Sequence, residues 1–358
     1  MRYFDYIGNE NLERIFLKKP QYFNRETDKD LLKYSLGAFI YVPATRYDMA
    51  YKTVSGKVMG ARPLAICLED AVGAAGEEEA IKNLELILKN FKDDNVKNID
   101  DIPLIFIRIK DANQLEKIKK IITDYEKIIT GILIPKCDSH LIEKIINILN
   151  YFKLTKIYVI PIIESKEFIY KENKEYYFEN MHKTLLKHKD RVLNIRIGIA
   201  DLLGIYGIRR SKFFSMYDNI ICTSFIHDVI NYLNRPELDI PISGGVSELF
   251  NMDNETIRNK YIEEIMLDKF HGFIGKTVIH PNQIKIVQAL QVISYEDYMD
   301  AKNILNSTKS IYGVSKGILG ERMNEVNPHL LWAKKTLILS KIYGVLNEGV
   351  DYYELLEF

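Results

Sequence analysis

The chain reads as an α/β protein organised as a (β/α)8 barrel, with a helical lead-in before the barrel and a helical extension after it. Three observations predict this. Short apolar runs recur eight times between residues 37 and 280, most of them ending on a polar or charged residue, a glycine or a proline. Most of the segments between them carry apolar residues at three- and four-residue spacing, the signature of crossover helices. Connections of that length force neighbouring strands to run parallel, and eight such strands favour closure over an open sheet. The 358 residues suit one barrel with additions, divided as lead-in 1–36, barrel 37–310 and extension 311–358.

The elements follow in order. Residues 1–36 carry the charged run RETDKD ahead of LLKYSLG and are expected to be helical. GAFIYVPATR is the first strand, ended by Pro43, and PLAICLEDAVG is the second, ending on Glu69 and Asp70. Ile81, Leu84, Leu86, Ile87 and Phe91 space a helix over 77–92. IPLIFIRIKD is the third strand, ending near Arg108, followed by the helix QLEKIKKIITDYEK. GILIPKCDS is the fourth strand and LIEKIINILNYF its helix. IYVIPIIES, the fifth, ends on Glu164; a helix lies within 166–191; VLNIRIGIAD, the sixth, ends on Asp201. Ile221, Phe225, Val229 and Leu233 recur every fourth residue and make 220–233 a helix. IPISGGV is a short seventh strand with Gly244 and Gly245, and a helix over 255–270 leads to the eighth strand near 277–279, closed by Pro281. Ser294 and Asp297 resemble a capping box that opens a further helix, and a loop and a helix follow Ile311.

Composition narrows the partners. Hydrophobic residues at 47% and charged residues at 27% are a globular balance able to bury a large core. Lys plus Arg and Asp plus Glu both number 49, so no net field draws the chain to nucleic acid or to an anionic membrane. MRYFDYIGNENLERIF lacks the basic start and apolar core of a signal peptide, and no uncharged run reaches spanning length, so a cytoplasmic protein is expected. Cys67, Cys137 and Cys222 are scattered, without a CxxC pair, and should be free, reduced thiols.

In a barrel the functional face is where the strand carboxyl ends meet. That face gathers Arg46, Glu69, Asp70, Arg108, Lys136, Glu164, Asp201, Gly244, Gly245 and His280. Charged groups buried there without partners cost several kcal/mol, so their convergence points to ion pairing, a ligand or a metal. Glu164 and Asp201, each delivered by a buried strand, are the carboxylates that Mg2+ would take; capping of the following helix is the alternative for both. The planar fork of Arg108 suits a substrate carboxylate, and an ion pair with Glu69 or Asp70 that stiffens the barrel is its alternative. A 2-oxo acid chelated to Mg2+ is poised to form a stabilised enolate, which suggests carbon–carbon bond cleavage or formation. Lys136 and Arg46 would bind an anionic ligand tail or pair with surface acids. Gly244 and Gly245 would admit a phosphate or shape the loop. Cys67 and Cys137 read as core thiols and His280 as a turn residue.

The ordered set VPATR, CLEDAV, IRIKD, ILIPK, PIIES, GIADLLG and GKTVIHPNQI resembles the citrate lyase beta-subunit-like branch of the HpcH/HpaI aldolase superfamily, from about Phe39 to Ile284 and more weakly through GERMNEVNPHLLWAKK. The resemblance implies a TIM-barrel, metal-dependent lyase or aldolase. Glu164 and Asp201 then match the carboxylates for Mg2+ (or Mn2+), and Arg108 matches the substrate-binding arginine. It also implies oxaloacetate-like, pyruvate-like or acyl-CoA-type ligands and a homo-oligomer, trimeric or hexameric. Cys67 departs from the DLEDAV form of the lyases, Asp70 stands where aldolases carry a histidine, and Ala200 replaces a second acid common in lyases. The expected function is an Mg2+-dependent lyase or aldolase for a small oxo- or hydroxy-acid or its CoA thioester. Arg108, Glu69 and Asp70 form its catalytic set, and Arg108, Arg46, Lys136, Gly244 and Gly245 bind substrate. Hydrolysis of an acyl-CoA thioester in the same site, or metabolite binding without turnover, are the alternatives.

Overall fold

The computed structural model describes residues 1–95 and 102–358. Eight parallel strands form one sheet: Ala38–Pro43 (β1), Pro63–Cys67 (β2), Leu104–Arg108 (β3), Ile129–Ile134 (β4), Tyr158–Ile163 (β5), Ile195–Ile197 (β6), Ile242–Ser243 (β7) and Lys276–Val278 (β8). Each strand from β1 to β7 pairs with the next in sequence, and β8 returns to pair with β1. A parallel bridge between Gly244 and Lys276 draws β7 to β8 and closes the ring. The predicted (β/α)8 barrel is therefore the fold, with every predicted strand present.

The strands form where apolar residues run unbroken because both of their faces are covered, one by the barrel interior and one by helices. All five residues of β2 and of β3 and all six of β4 are buried. Helix Ala112–Asp124 turns Leu115, Ile118, Ile121 and Ile122 inward, and Ser139–Tyr151 does the same with Ile142, Ile145, Ile146 and Leu149. Each such side chain contributes about 1.5–3 kcal/mol by leaving water. Both helices start at the strand carboxyl ends with aspartate caps: Asp111 accepts from the Gln114 N–H and Asp138 from the Leu141 N–H, each at 2.8 Å. Helix Tyr47–Val54 supplies the first crossover, which the sequence pattern left unassigned.

Residues 24–287 form one compact unit, which contains all eight strands. The second unit joins residues 1–23 to 288–358. In it Phe16–Lys18 pairs antiparallel with Val345–Leu346, so the lead-in contains a strand as well as helix Asn9–Ile15. Helices Tyr295–Asn306 and Val326–Ile342 pack through Ala301, Ile304 and Ala333, with Ser294 capping the first as predicted. Among the described residues no helix is long and apolar enough to cross a membrane, and all three cysteines are free and buried.

Candidate active site

Six predicted site residues meet at the strand carboxyl ends. Arg108 is the last residue of β3 and lies in register with Cys67, the last of β2, which puts it beside Glu69 and Asp70. Its Nη2 is 2.7 Å from Glu69 Oε2, 2.9 Å from Asp70 Oδ2 and 3.8 Å from Glu164 Oε1. Nη1 faces only the Cys67 sulfur at 3.9 Å, and Nε has no hydrogen-bond partner among the described residues. The ion pair foreseen as the structural alternative is thus present, while one edge of the guanidinium stays weakly engaged.

Lys136 follows β4 in the left-handed region, φ 46°, a conformation that costs a residue with a side chain about 1–3 kcal/mol. The turn has two consequences. The Lys136 backbone N–H donates to Glu164 Oε1 at 2.9 Å. Its ammonium reaches over the mouth to Glu69 Oε1 at 2.7 Å, Asp70 Oδ1 at 2.8 Å and Asp201 Oδ1 at 3.6 Å. One lysine therefore bridges acids that follow β2, β5 and β6.

Glu164 directly follows β5 and is buried. A Cβ at residue 198 would overlap Glu164 Oε2, so Gly198 is what gives this carboxylate room. Asp201 sits one turn further than the sequence pattern suggests: β6 ends at Ile197, and Asp201 lies in the first turn of helix Ile199–Ile205. Neither acid caps a helix. The N-cap positions are Ser165 and Gly198, so the capping alternative does not account for either carboxylate.

Charge is unevenly settled across this cluster. Burial pushes the Glu164 carboxyl up to about 8; Arg108 opposes the shift and neighbouring Asp201 adds to it. Burial also raises Glu69. For Asp70 burial is outweighed by hydrogen bonds with Glu69 and Lys136 and by the charge of Arg108, which hold it well below the usual carboxylate range. Lys136 and Arg108 are both held more firmly protonated, since the surrounding acids outweigh their burial. Two cations thus face four acids, and the deepest acid holds its proton more tightly than an ordinary carboxyl.

The remaining predicted residues lie differently. Arg46 is exposed at the start of helix Tyr47–Val54, and no ion pair among the described residues includes it. Gly244 and Gly245 are required by close protein packing: a Cβ on Gly244 would strike the Asp268 carboxylate, and one on Gly245 the Ile199 side chain. His280 stacks on Phe250 at 4.9 Å and accepts from the Asn282 N–H at 3.2 Å, consistent with a turn role. Cys137 is buried with its thiol pushed up by burial, as expected of a core cysteine.

Three features escaped the sequence reading. Gly198 is one. Arg196, inside the barrel, is another; the alternation Ile195, Arg196, Ile197, Gly198 puts Arg196 and Gly198 on one strand face and is the signal that could have found both. The third is a buried ionic network behind β8. Lys276 Nζ lies 3.0 Å from Glu264 Oε1 and 2.7 Å from Asp268 Oδ2, both on helix Glu255–Phe270. Glu264 also pairs with Arg210 and accepts from the Met216 N–H at 3.0 Å, while Tyr217 donates to Asp268 at 2.7 Å.

A closed parallel barrel whose carboxyl-end mouth gathers four acids about one lysine and one arginine defines the class, an α/β barrel with an acidic, oxygen-rich site. The structure of CitE from Mycobacterium tuberculosis in complex with magnesium, acetoacetate and coenzyme A is similar in fold, with a TM-score of 0.59 and 17% identity over 86% of this chain and 99% of that one. A citrate lyase from Burkholderia xenovorans LB400 superposes with a TM-score of 0.62 at 13% identity, over 85% of this chain and 91% of that chain. The citrate lyase beta subunit of M. tuberculosis complexed with oxaloacetate and magnesium gives 0.50 at 16% identity, over 72% and 96%. In a sequence comparison no curated protein matches. A family model described as C–C bond lyase of the TIM-barrel fold matches residues 30–345. The chain belongs to this family of C–C bond lyases.

Proposed function

We propose that the protein is an Mg2+-dependent lyase or aldolase that makes or breaks a carbon–carbon bond in a small oxo- or hydroxy-acid, free or as its CoA thioester. The observation that carries this reading is the convergence of Glu164 and Asp201 around a deficit of positive charge, beside the half-engaged guanidinium of Arg108. Membership in a family of C–C bond lyases supports it, as do the magnesium, acetoacetate, oxaloacetate and coenzyme A bound by the structural neighbours.

The donor set fits the metal. Among the described residues no group of three or more His, Cys, Asp or Glu forms a ready cage. Two carboxylates are nevertheless what Mg2+ commonly takes from a protein, since it keeps water and substrate oxygens in its other positions. The Lys136 ammonium, drawn between Glu69, Asp70 and Asp201, is a stand-in cation at the edge of this acid set. Glu164 and Asp201 would hold the ion, and Mg2+ when bound supplies the Lewis acidity that stabilises charge on an enolate. Arg108 orients the substrate carboxylate through Nη1 and Nε, while Glu69 and Asp70 hold its Nη2 in place. Glu69, raised by burial, is the group suited to hold a proton or order a water at the reacting carbon. Work in the cytoplasm as a homo-oligomer is part of the same proposal.

The test is turnover of a panel of 2-oxo and 2-hydroxy acids and their CoA thioesters with product analysis. Carbon–carbon cleavage or condensation that stops on chelation of Mg2+ supports the reading; release of free CoA alone would replace it with thioester hydrolysis, and metal-dependent binding without product would leave a metabolite-binding barrel.

A further inference from the structure

The two cations at the mouth differ in their freedom to move. The Lys136 backbone is pinned: φ is 46°, and the N–H donates to Glu164 Oε1 at 2.9 Å. Its stem is not, since the side chain is 46% exposed and the ammonium crosses the mouth to reach Glu69 at 2.7 Å, Asp70 at 2.8 Å and Asp201 at 3.6 Å. Arg108 is 8% exposed, ends β3 and has its guanidinium over the Tyr41 ring at 5.6 Å. A lysine carries its charge on a flexible stem and its donors need no fixed plane. Lys136 is therefore the cation that can change partners without disturbing the barrel.

Its three contacts are unequal. The ammonium donates hydrogen bonds to Glu69 and Asp70, whereas it reaches Asp201 only at ion-pair distance, and Asp201 is one of the two carboxylates read as the cation site. An ammonium and a divalent ion cannot share Asp201 without facing each other across one carboxylate, where like charges repel. The divalent ion has the stronger hold, because it would take Glu164 as well, which Lys136 meets through its backbone N–H. Beside Glu69 and Asp70 opens a cleft of about 190 Å3, lined also by Lys110 and Glu77. An ammonium released from Asp201 therefore has room for an anionic ligand next to it.

We propose that Lys136 is a binding residue released by the metal: its ammonium closes the acid cluster as an internal counter-ion until Mg2+ arrives, and on leaving Asp201 it turns to the anionic acid ligand. Metal and acid then bind in that order, and one side chain opposes the first and helps the second. The backbone N–H stays on Glu164 throughout, so the turn holds that carboxylate while the side chain changes partner. This inference rests on the reading above, in which Glu164 and Asp201 hold the metal.

The experiment is calorimetry on the full chain, first with Mg2+ alone and then with pyruvate on the Mg2+-loaded protein. Lys136→Met keeps the stem and loses the charge. It should bind Mg2+ at least about fivefold more tightly than wild type and, once loaded, bind pyruvate at least about fivefold more weakly. Lys136→Gly, which relieves the left-handed backbone and also lacks the ammonium, should shift both affinities the same way. Mg2+ affinity that is unchanged or weakened in both variants overturns the proposal, as does pyruvate affinity that is unchanged in both. A crystal of the wild type soaked with Mg2+ reads the movement itself: the ammonium should lie beyond about 4 Å from Asp201, and one still within that distance overturns the proposal. Failure of the metal reading looks different: wild type and both variants alike would then give no Mg2+ heat, or a Mg2+ affinity that Asp201→Asn leaves intact.

Discussion

The barrel holds two clusters of buried charge, and they are resolved in opposite ways. Behind β8, Lys276, Glu264 and Asp268 are deeply buried and Arg210 is partly so, and the carboxylates are met by Lys276, Arg210, the Tyr217 hydroxyl and the Met216 N–H. At the mouth, among the described residues, Glu69, Asp70, Glu164 and Asp201 share the cations of Lys136 and Arg108 alone, and the Lys136 side chain is nearly half exposed. The contrast teaches how to tell a fastener from a site. A network that pairs its buried charges internally holds helix Glu255–Phe270 to the last strand; one left short of positive charge, at the strand carboxyl ends, is where the proposed cation and anionic ligand would complete the balance.

The largest expected effect breaks the fastener. Lys276→Met leaves two carboxylates buried within one helical turn of each other and should cost about 3–5 kcal/mol in urea unfolding. Lys136→Met should cost under about 1 kcal/mol, since its pairs are partly solvated. Equal losses would erase the distinction between the two clusters. At the mouth the order reverses for activity. Asp201→Asn should lower turnover by about 10²–10³-fold while the urea midpoint of the metal-free protein stays close to that of the wild type. Arg108→Lys keeps the charge but loses the planar fork, and should raise KM about tenfold or more in steady-state kinetics.

The smallest effect is the pH dependence of Glu164. Its folded-state carboxyl is pushed up to about 8 from the ordinary carboxylate range, chiefly by burial. The folded chain therefore holds this proton more tightly than the unfolded chain, and stability of the metal-free protein falls as pH rises through that window. Glu164→Gln should flatten the slope and raise the melting temperature by a few degrees above pH 8. A wild-type slope that persists in the variant would assign it to another group.

The same contrast explains what could be read from the sequence. Strands announce themselves as apolar runs, and residues that end those runs share a barrel face by topology, so Glu69, Asp70, Arg108, Lys136 and Glu164 could be gathered without knowing any loop. Asp201 was found through its run, though the chain turns helical at Ile199 before reaching it. The pairings depend on backbone detail that spacing does not carry: the left-handed turn at Lys136 and the space that Gly198 leaves for Glu164. Glu264 and Asp268, four apart on a helix, look like an ordinary solvated face until Lys276 is seen behind them. Arg196 was harder to see for a similar reason, since within an apolar run only the strand alternation it shares with Gly198 signals that it points inward.

Whether Glu164 and Asp201 form the proposed cation site is decided by calorimetric titration of Mg2+ at pH 6.5 and 8.5. The expected results are tighter binding at pH 8.5, proton release on binding at pH 6.5 as the ion displaces the Glu164 proton, and loss of binding in Asp201→Asn. Mg2+ affinity that is the same at both pH values and survives Asp201→Asn would contradict it.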